Sequence, residues 1–287
     1  MNVWVAGARP RTLPAAVVPV AVGTACAAAA AGHVIVWRAA AALVVALGLQ
    51  VATNYANDYS DGIRGTDDLR AGPVRLVASG LASPAAVKRA AFVCFGVAAA
   101  AGLALSVAVG PQLLVVGAAS IAAGWFYTGG PRPYGYAGFG EAFVFAFFGL
   151  VATAGSAYVQ SGHLHLLEVT AAPPVGLLAV ALLVVNNLRD IPGDTVAGKR
   201  TLAVRIGDRR TRWLYGACVA LAFAGVVAVG SERIGALAAL AAAPFAWRPL
   251  RRVVGGAMGR DLIPVLADTG RVQLVFGVLL AAGIVIG

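Results

Sequence analysis

Charged side chains are scarce in this chain of 287 residues and make up only 12% of it. Soluble domains typically carry about 25%. Hydrophobic residues make up 60% of the sequence, and the mean hydropathy is +0.84. Because one bilayer crossing takes about 20 apolar residues, this composition argues against a soluble protein. It predicts a single all-α membrane domain over residues 1–287, with many spans joined by short loops.

Cysteine and histidine are also rare, with three of each. Cys26, Cys94 and Cys218 lie inside apolar runs without the spacing of a disulfide or a metal site, so we interpret them as core residues. The sequence suggests no Ser-His-Asp or Cys-His arrangement. Catalysis by an activated serine or cysteine is therefore not indicated.

Long apolar runs dominate the chain instead, and they predict a polytopic bundle of about nine transmembrane helices. Arg9 and Arg11 precede the first run, which lacks a convincing cleavage site, so we expect it to be retained as a helix. The runs cover residues 13–31, 38–57, 85–108, 112–128, 142–161, 171–190, 211–229, 234–247 and 271–286.

Positive charge is unevenly placed between these runs. With the N-terminus in the cytoplasm, all but Arg38 and Arg233 of the 22 Lys and Arg residues fall on the cytoplasmic side. This follows the positive-inside rule and predicts a multi-pass protein of the cytoplasmic membrane, in contact with the lipid bilayer. The same rule explains the formal net charge of +10 without nucleic acid as a partner, which would need a basic face on a soluble fold.

Carboxylate and amide side chains collect at the ends of two predicted helices. The second helix ends in Asn54, Asn57, Asp58 and Asp61, whose spacings of three and four residues place them on one face if the helix continues. A second polar cluster, Asn186–Asp194, ends the sixth helix. The matched clusters resemble a loose internal repeat that brings both to the cytoplasmic face.

The second cluster carries Asp190 and Asp194 with the same spacing of four residues. We expect Pro192 and Gly193 to break the helix between these two carboxylates, so their spacing alone does not place them on one face. One cluster of this kind is more often a set of solvated carboxylates paired with arginine. Two matched clusters favour a hard cation, because oxygen ligands near a membrane repel one another without one.

Magnesium suits these ligands, since it takes one or two carboxylates and fills its other positions with water and substrate phosphate. Two facing clusters therefore predict Mg²⁺ ions around one diphosphate. Lys199 and Arg75, in the following loops, are candidates to bind phosphate oxygens. An aromatic loop over residues 125–136 contains Tyr127 and Arg132; aromatic faces can stabilise a cation, although an interfacial aromatic belt explains this loop equally well.

At Asn57–Asp61 and Asp190–Asp194 the sequence resembles the UbiA-type superfamily of intramembrane aromatic prenyltransferases, and the resemblance covers essentially the whole chain. Gly65 stands where the superfamily pattern has an Asp, which leaves open whether Asp67, Asp68 or neither completes the first site. Four segments are most similar to the branch that prenylates 1,4-dihydroxy-2-naphthoate: Arg9–Pro14, Asn57–Asp68, Gly72–Gly80, and Asn186–Asp194 with Gly198–Val204.

The resemblance implies a UbiA-type fold with a cytoplasmic active site. It also implies Mg²⁺-dependent transfer of a polyprenyl group from polyprenyl diphosphate to the naphthoate, with loss of CO₂ and pyrophosphate, to give demethylmenaquinone for menaquinone biosynthesis. The expected metal ligands are Asn57, Asp58, Asp61, Asp67, Asp190 and Asp194. The expected substrate-binding residues are Asn54, Arg75, Arg132, Asn186 and Lys199, and the expected catalytic residues are Asp61, Tyr127, Asp190 and Lys199.

Three rival hypotheses remain at this point. A sister enzyme would prenylate 4-hydroxybenzoate or another acceptor. A cation-coupled transporter would also place carboxylates in a membrane, although near its midplane and beside broken helices. A lipid-binding or scaffolding protein without catalysis would not depend on Asp61 or Asp190 for prenyl transfer.

Overall fold

A computed structural model describes residues 2–66 and 75–287, and its regular elements in that part of the chain are all helical. We number the α-helices α1 to α10. They are Val3–Ala8, Pro14–Ala31, Val36–Ile63, Pro84–Val109, Gln112–Phe126, Gly140–Ser161, Leu166–Val196, Leu202–Gly230, Ala243–Val254 and Leu262–Ile286. A π-helical stretch, Phe145–Val151, lies inside α6, and a 3₁₀ helix, Ile234–Ala242, leads into α9.

Seven of the described helices are long and apolar enough to cross a bilayer, and α5 is a shorter apolar helix. Each of the nine predicted runs lies largely on helical structure, which confirms the all-α bundle; the count of nine spans is approximate because α5 and the α9 region are short. Apolar side chains on the outside of α4 and α5, such as Val107 and Val115, are 82% and 73% exposed. A lipid-facing surface explains this exposure.

Helix α7 occupies the middle of the bundle. Of an apolar stretch of 18 residues within α7, 72% is buried, compared with 17% for the corresponding stretch of α3 and 22% for that of α4. It packs against α2, α6, α8 and α10, whereas α3 packs mainly against α4. The bundle therefore has α7 at its core, and α3 and α7 carry the two acidic clusters.

Glycine allows a close helix contact between α6 and α7. A Cβ atom at Gly149 would lie 2.5 Å from the Cα of Gly176, closer than real Cβ contacts allow. Small residues permit such approaches in membrane bundles, where dispersion and not the hydrophobic effect drives helix association. The π-helical stretch places Gly149 at this contact.

The expected helix break at Pro192 and Gly193 is wrong, because α7 continues to Val196. A proline near the end of a helix removes only one hydrogen bond, and its fixed φ angle is compatible with helical geometry. A carbonyl in the last turn of α7 is satisfied from beyond the helix, because the Lys199 backbone N–H donates a hydrogen bond to the Asp194 carbonyl at 2.8 Å. Asp190 and Asp194 consequently stand one turn apart on a continuous helix.

Other helices also extend further than the apolar runs predicted, among them α3, α8 and α10. Helix α3 runs on to Ile63, through the whole first cluster, because its polar end faces the protein interior and not lipid. Helix α8 begins at Leu202, well before the predicted residue 211, with an interruption at Gly207, whose φ is 79°. Because its first turns contain several arginines, this part of α8 does not belong to an apolar run.

Candidate active site

One cavity of about 550 Å³ lies between the polar ends of α3 and α7. Its lining on α3 changes from Ala46 and Leu49 through Thr53 to Asn57 and Asp61. The lining on α7 changes in the same direction, from Ala179 and Leu182 to Asn186, Asn187, Asp190 and Asp194. At 1.5 Å per residue these stretches are each about 22 Å long. The cavity is therefore polar at one end and mainly apolar toward the other.

Asp61 is the centre of the polar end. Its side chain is buried, and Lys199 Nζ lies 3.1 Å from its Oδ1 while Arg75 Nη2 lies 3.6 Å from its Oδ2. The Tyr136 hydroxyl donates to the same Oδ1 at 2.5 Å. Two cations and a hydroxyl thus surround one carboxylate from the first cluster, and Lys199 comes from the loop that follows the second cluster.

The second cluster is held by an arginine beside it. Arg189 donates from Nε and Nη2 to the two oxygens of Asp190, at 2.7 and 2.8 Å, and Nη2 also donates to the Asn186 side-chain oxygen. Its Nη1 is buried and has no hydrogen-bond partner among the described residues, and Arg189 lines the cavity. Asp194 Oδ1 lies 3.9 Å from Lys199 Nζ, so one lysine links both clusters.

The amides of the first cluster contact neighbouring segments of the chain. Asn57 accepts a hydrogen bond at 2.7 Å from the Thr128 hydroxyl, on the loop after α5. Asn54 donates to the Ala8 carbonyl at 2.9 Å and to the Thr12 hydroxyl at 3.3 Å. Both asparagines line the cavity, and their contacts fix the loop and the N-terminal segment around it.

Asp58 does not line the cavity, whereas Asn57, Asp61, Asp190 and Asp194 do. It is fully buried, and its oxygens accept hydrogen bonds from the backbone N–H groups of Leu76 and Val77, at 2.8 and 3.0 Å. The reason lies in tertiary packing, because the backbone of the segment after α3 supplies donors to this carboxylate. The metal role of Asp58 stays a prediction, and its described contacts hold the chain after α3 in place.

The structure also does not bring Arg132 to the cavity, where a substrate-binding role was predicted. Arg132 is exposed at the turn of the loop between α5 and α6, which carries its side chain away from the lining. Asp67, predicted as a ligand, and its alternative Asp68 lie outside the described residues. Tyr127 does line the cavity, and burial, followed by the Glu141 charge, raises its pKa well above the usual range.

Tyr136 is a site residue that the sequence interpretation missed. In addition to its bond to Asp61, its ring lies 4.7 Å below Lys199 Nζ, and Arg64 Cζ lies 5.5 Å from the same ring. Burial, and then the Asp61 charge, raise the pKa of Tyr136 above its usual range, so the hydroxyl stays protonated and donates. The aromatic loop over residues 125–136 indicated that a ring could contribute to the site. The spacing of its aromatic residues did not indicate that this ring is Tyr136.

The donor set at the polar end fits a hard divalent cation. Carboxylates of Asp61, Asp190 and Asp194 and the amide of Asn57 line the same cavity. Among the described residues, no three His, Cys, Asp or Glu side chains form a metal cluster by themselves. Magnesium is commonly bound by one or two carboxylates with water and substrate phosphate, so such a cluster is not required.

Comparison with known proteins identifies relatives over nearly the whole chain. The sequence matches the UbiA prenyltransferase family over residues 16–259. It is 50% identical over 285 residues to 1,4-dihydroxy-2-naphthoate octaprenyltransferase of Mycobacterium tuberculosis, which covers 99% of this chain and 97% of that relative. The Escherichia coli protein of the same name is 38% identical over 290 residues, covering 92% of this chain and 94% of that one.

Solved structures agree with this fold. A UbiA homolog from Archaeoglobus fulgidus bound to GPP and Mg²⁺ superposes with a TM-score of 0.69 at 16% identity, covering 98% of this chain and 99% of that one. Digeranylgeranylglyceryl phosphate synthase superposes with a TM-score of 0.62 at 13% identity, covering 98% and 97%. The fold and the near-complete family match lead to one conclusion: the chain belongs to the UbiA prenyltransferase family.

Proposed function

We propose that this protein transfers a polyprenyl group from polyprenyl diphosphate to 1,4-dihydroxy-2-naphthoate in menaquinone biosynthesis. The observation that carries the proposal is one cavity with a lining about 22 Å long, in which residues of the two acidic clusters meet at one end and apolar side chains line the other. A diphosphate with a polyprenyl tail has the same division into a charged head and an apolar chain. The relatives named for the naphthoate reaction support the choice of acceptor.

Asn57, Asp61, Asp190 and Asp194 would hold Mg²⁺ at the polar end, since they supply its preferred oxygen ligands. When bound, Mg²⁺ neutralises charge on the leaving pyrophosphate and so favours ionisation of the allylic C–O bond. The solved homologs bound to GPP or DMAPP with Mg²⁺ support this ligand class.

Basic side chains of the same cavity would bind the diphosphate oxygens directly. Lys199 and Arg75 stand beside Asp61, and Arg189 presents the buried Nη1 described above. An ammonium and two guanidinium groups supply charge-assisted hydrogen bonds, which are shorter and stronger than neutral ones. Their positive charge opposes the negative charge that develops on pyrophosphate as it leaves.

The apolar length of the cavity would hold the prenyl chain and exclude water. Leu49, Phe147, Phe148 and Leu182 line it between α3, α6 and α7. Because an allylic cation is rapidly captured by water, keeping water away directs it to the aromatic acceptor. In the reaction the allylic C–O bond breaks, a C–C bond forms to the naphthoate ring, and the ring–carboxyl bond breaks to release CO₂. The product is the reduced, quinol form of demethylmenaquinone.

The geometry does not favour a cation-coupled transporter. Such a protein is expected to place its carboxylates at the midplane, next to broken helices. Here Asp61 lies in the last turn of α3, and α7 is continuous through Asp190 and Asp194. The position of the carboxylates at one end of the bundle supports an enzyme.

The proposal includes a location for the site. The positive-inside distribution supports a cytoplasmic membrane protein whose N-terminus and active site face the cytoplasm. In this arrangement the whole chain forms one transmembrane domain, with prenyl diphosphate, the acceptor and lipid as its partners.

Acceptor competition tests the proposed reaction. Purified protein in detergent is given polyprenyl diphosphate, Mg²⁺, and equal amounts of 1,4-dihydroxy-2-naphthoate and 4-hydroxybenzoate, and the products are identified by mass spectrometry. We expect the prenylated naphthoquinol to dominate. Prenylated hydroxybenzoate with the naphthoate left unconsumed would refute the assigned acceptor, and cation flux in proteoliposomes without any prenyl transfer would refute the enzyme.

A further inference from the structure

Tyr136 contacts functional groups of both acidic clusters. Its hydroxyl donates to Asp61 at the end of α3, and its ring supports Lys199, which follows α7. Its carbonyl accepts a hydrogen bond from the Arg200 N–H at 2.9 Å. One loop residue therefore joins the two halves of the site, which are far apart in the sequence.

We infer that Tyr136 is a positioning residue, which fixes Asp61 for metal binding through its hydroxyl and fixes Lys199 for diphosphate binding through its ring. The inference rests on the proposed function, since it concerns how the same site receives Mg²⁺ and diphosphate. It assigns separate tasks to two parts of one side chain.

The loop around Tyr136 is held firmly enough for this task. The Gly135 N–H donates to the Tyr127 carbonyl at 2.9 Å, and a Cβ at Gly135 would lie 2.6 Å from that carbonyl oxygen, so only glycine fits. Arg64 donates to the carbonyls of Thr128 and Gly130 in the same loop. These contacts limit the movement of the ring relative to α3.

An aromatic ring is well suited to support Lys199. A carboxylate in its place would attract the ammonium strongly but would also neutralise it and occupy its donors. The face of a ring attracts a cation through its quadrupole and leaves the N–H donors free to turn. Lys199 can thus be held near Asp61 and Asp194 and still present donors to a phosphate oxygen.

The hydroxyl has a different effect, since it fixes the orientation of the Asp61 carboxylate. It donates to Oδ1, while Oδ2 faces Arg75. Hydrogen bonds to charged groups are stronger than those between neutral groups, so a carboxylate held in this way loses little entropy when it binds a cation. Without the hydroxyl, the described groups that hold Asp61 are the two cations, Lys199 and Arg75, and its carboxylate is less well fixed as a ligand.

Two substitutions separate the two tasks. Binding of inorganic pyrophosphate to the purified full-length protein is measured by calorimetry over a range of Mg²⁺ concentrations, without an acceptor. We expect Tyr136→Phe to raise the half-saturating Mg²⁺ concentration on the order of tenfold, and to leave the pyrophosphate Kd at saturating Mg²⁺ within about twofold. Tyr136→Leu, which also removes the ring, is expected to raise that Kd roughly three- to tenfold as well.

Tyr134→Phe is the matched control, because it removes a hydroxyl from the same loop that donates to the Ala123 carbonyl and not to Asp61. It is expected to keep the wild-type Mg²⁺ dependence. The inference is overturned if Tyr136→Phe also keeps the wild-type half-saturating Mg²⁺ concentration, or if Tyr136→Phe and Tyr134→Phe raise that concentration equally. Should the wild-type protein bind no pyrophosphate with Mg²⁺, the proposed function fails instead. Tyr136→Phe is nearly isosteric, so it carries the test even if Tyr136→Leu does not fold.

Discussion

At the scale of single residues, the polar end of the cavity is a set of buried charges that neutralise one another. Asp61 faces Lys199 and Arg75, and Asp190 faces Arg189. Burying any one of these charges without its partner would be costly. A magnesium–diphosphate ligand can take over both kinds of contact, since the metal binds the carboxylates and the diphosphate binds the cations.

Asp61→Asn tests the carboxylate at the centre of this set. The substitution keeps the shape of the side chain and removes the charge that attracts both Lys199 and a metal ion. We expect prenyl transfer to fall by at least about 100-fold, as for loss of one strong electrostatic contact to a transition state. Glu232→Gln is the control, an exposed carboxylate whose described contact is the Thr170 hydroxyl. Comparable losses in both variants would contradict the role of Asp61.

Lys199→Gln and Arg132→Gln compare two basic residues that were both predicted to bind substrate. Lys199 is buried between Asp61 and Asp194, whereas Arg132 is exposed and does not line the cavity. Steady-state kinetics should show KM for the prenyl diphosphate raised on the order of tenfold or more by Lys199→Gln, and by less than about twofold for Arg132→Gln. Equal effects would show that the loop of Arg132 reaches the substrate after all.

The sequence could predict that Asn57 and Asp61 lie on one face of a helix, because they are four residues apart, and both line the cavity. It could not separate Asp58 from Asp61, since that difference depends on where the backbone of Leu76 and Val77 lies. It also missed the roles of Arg189 and Tyr136. Their contacts depend on tertiary packing, and an arginine next to an aspartate or a tyrosine in an aromatic loop has no specific sequence signal.

At the scale of helices, the site depends on α7 staying continuous and close to α6. Sequence patterns predicted α7 as a helix but wrongly ended it before Pro192. The tight contact with α6 could not be predicted, because 36 glycines give many possible positions for close packing and only the fold selects Gly149 and Gly176.

Gly149→Ala tests that close contact. The added methyl group would lie 2.5 Å from the Gly176 Cα and would push α6 away from α7, which we expect to destabilise the protein by about 1–3 kcal/mol. Gly155→Ala is the matched control in the same helix, because a Cβ there meets nothing within 4 Å. Thermal unfolding in detergent should show a lower Tm for the first variant and an unchanged or higher Tm for the second. A lower Tm for both would contradict the contact.

At the scale of the whole molecule, the charge distribution and the position of the site imply one orientation. Asp61, Lys199 and Arg75 cluster where α3 and α7 end, so the site lies on the side that carries most of the arginines. The orientation itself is a proposal based on the positive-inside rule.

Cysteine labelling tests this orientation, since two of the three native cysteines are buried and Cys94 is half-buried within α4. His163→Cys lies in the turn between α6 and α7, on the proposed outer side, and should react with a membrane-impermeant maleimide in intact cells. Arg209→Cys, near the start of α8, should react only after the membrane is opened. The unsubstituted chain gives the background. The reverse labelling pattern would place the active site outside.

The central claim is that the two acidic clusters catalyse prenyl transfer coupled to loss of the acceptor carboxyl group. The most direct measurement follows carboxyl-labelled 1,4-dihydroxy-2-naphthoate with purified protein, Mg²⁺ and polyprenyl diphosphate. We predict labelled CO₂, pyrophosphate and prenylated naphthoquinol in equal amounts, and none of them with Asp61→Asn or Asp190→Asn. Product formation that persists in both variants, or pyrophosphate release without a prenylated product, would contradict this account.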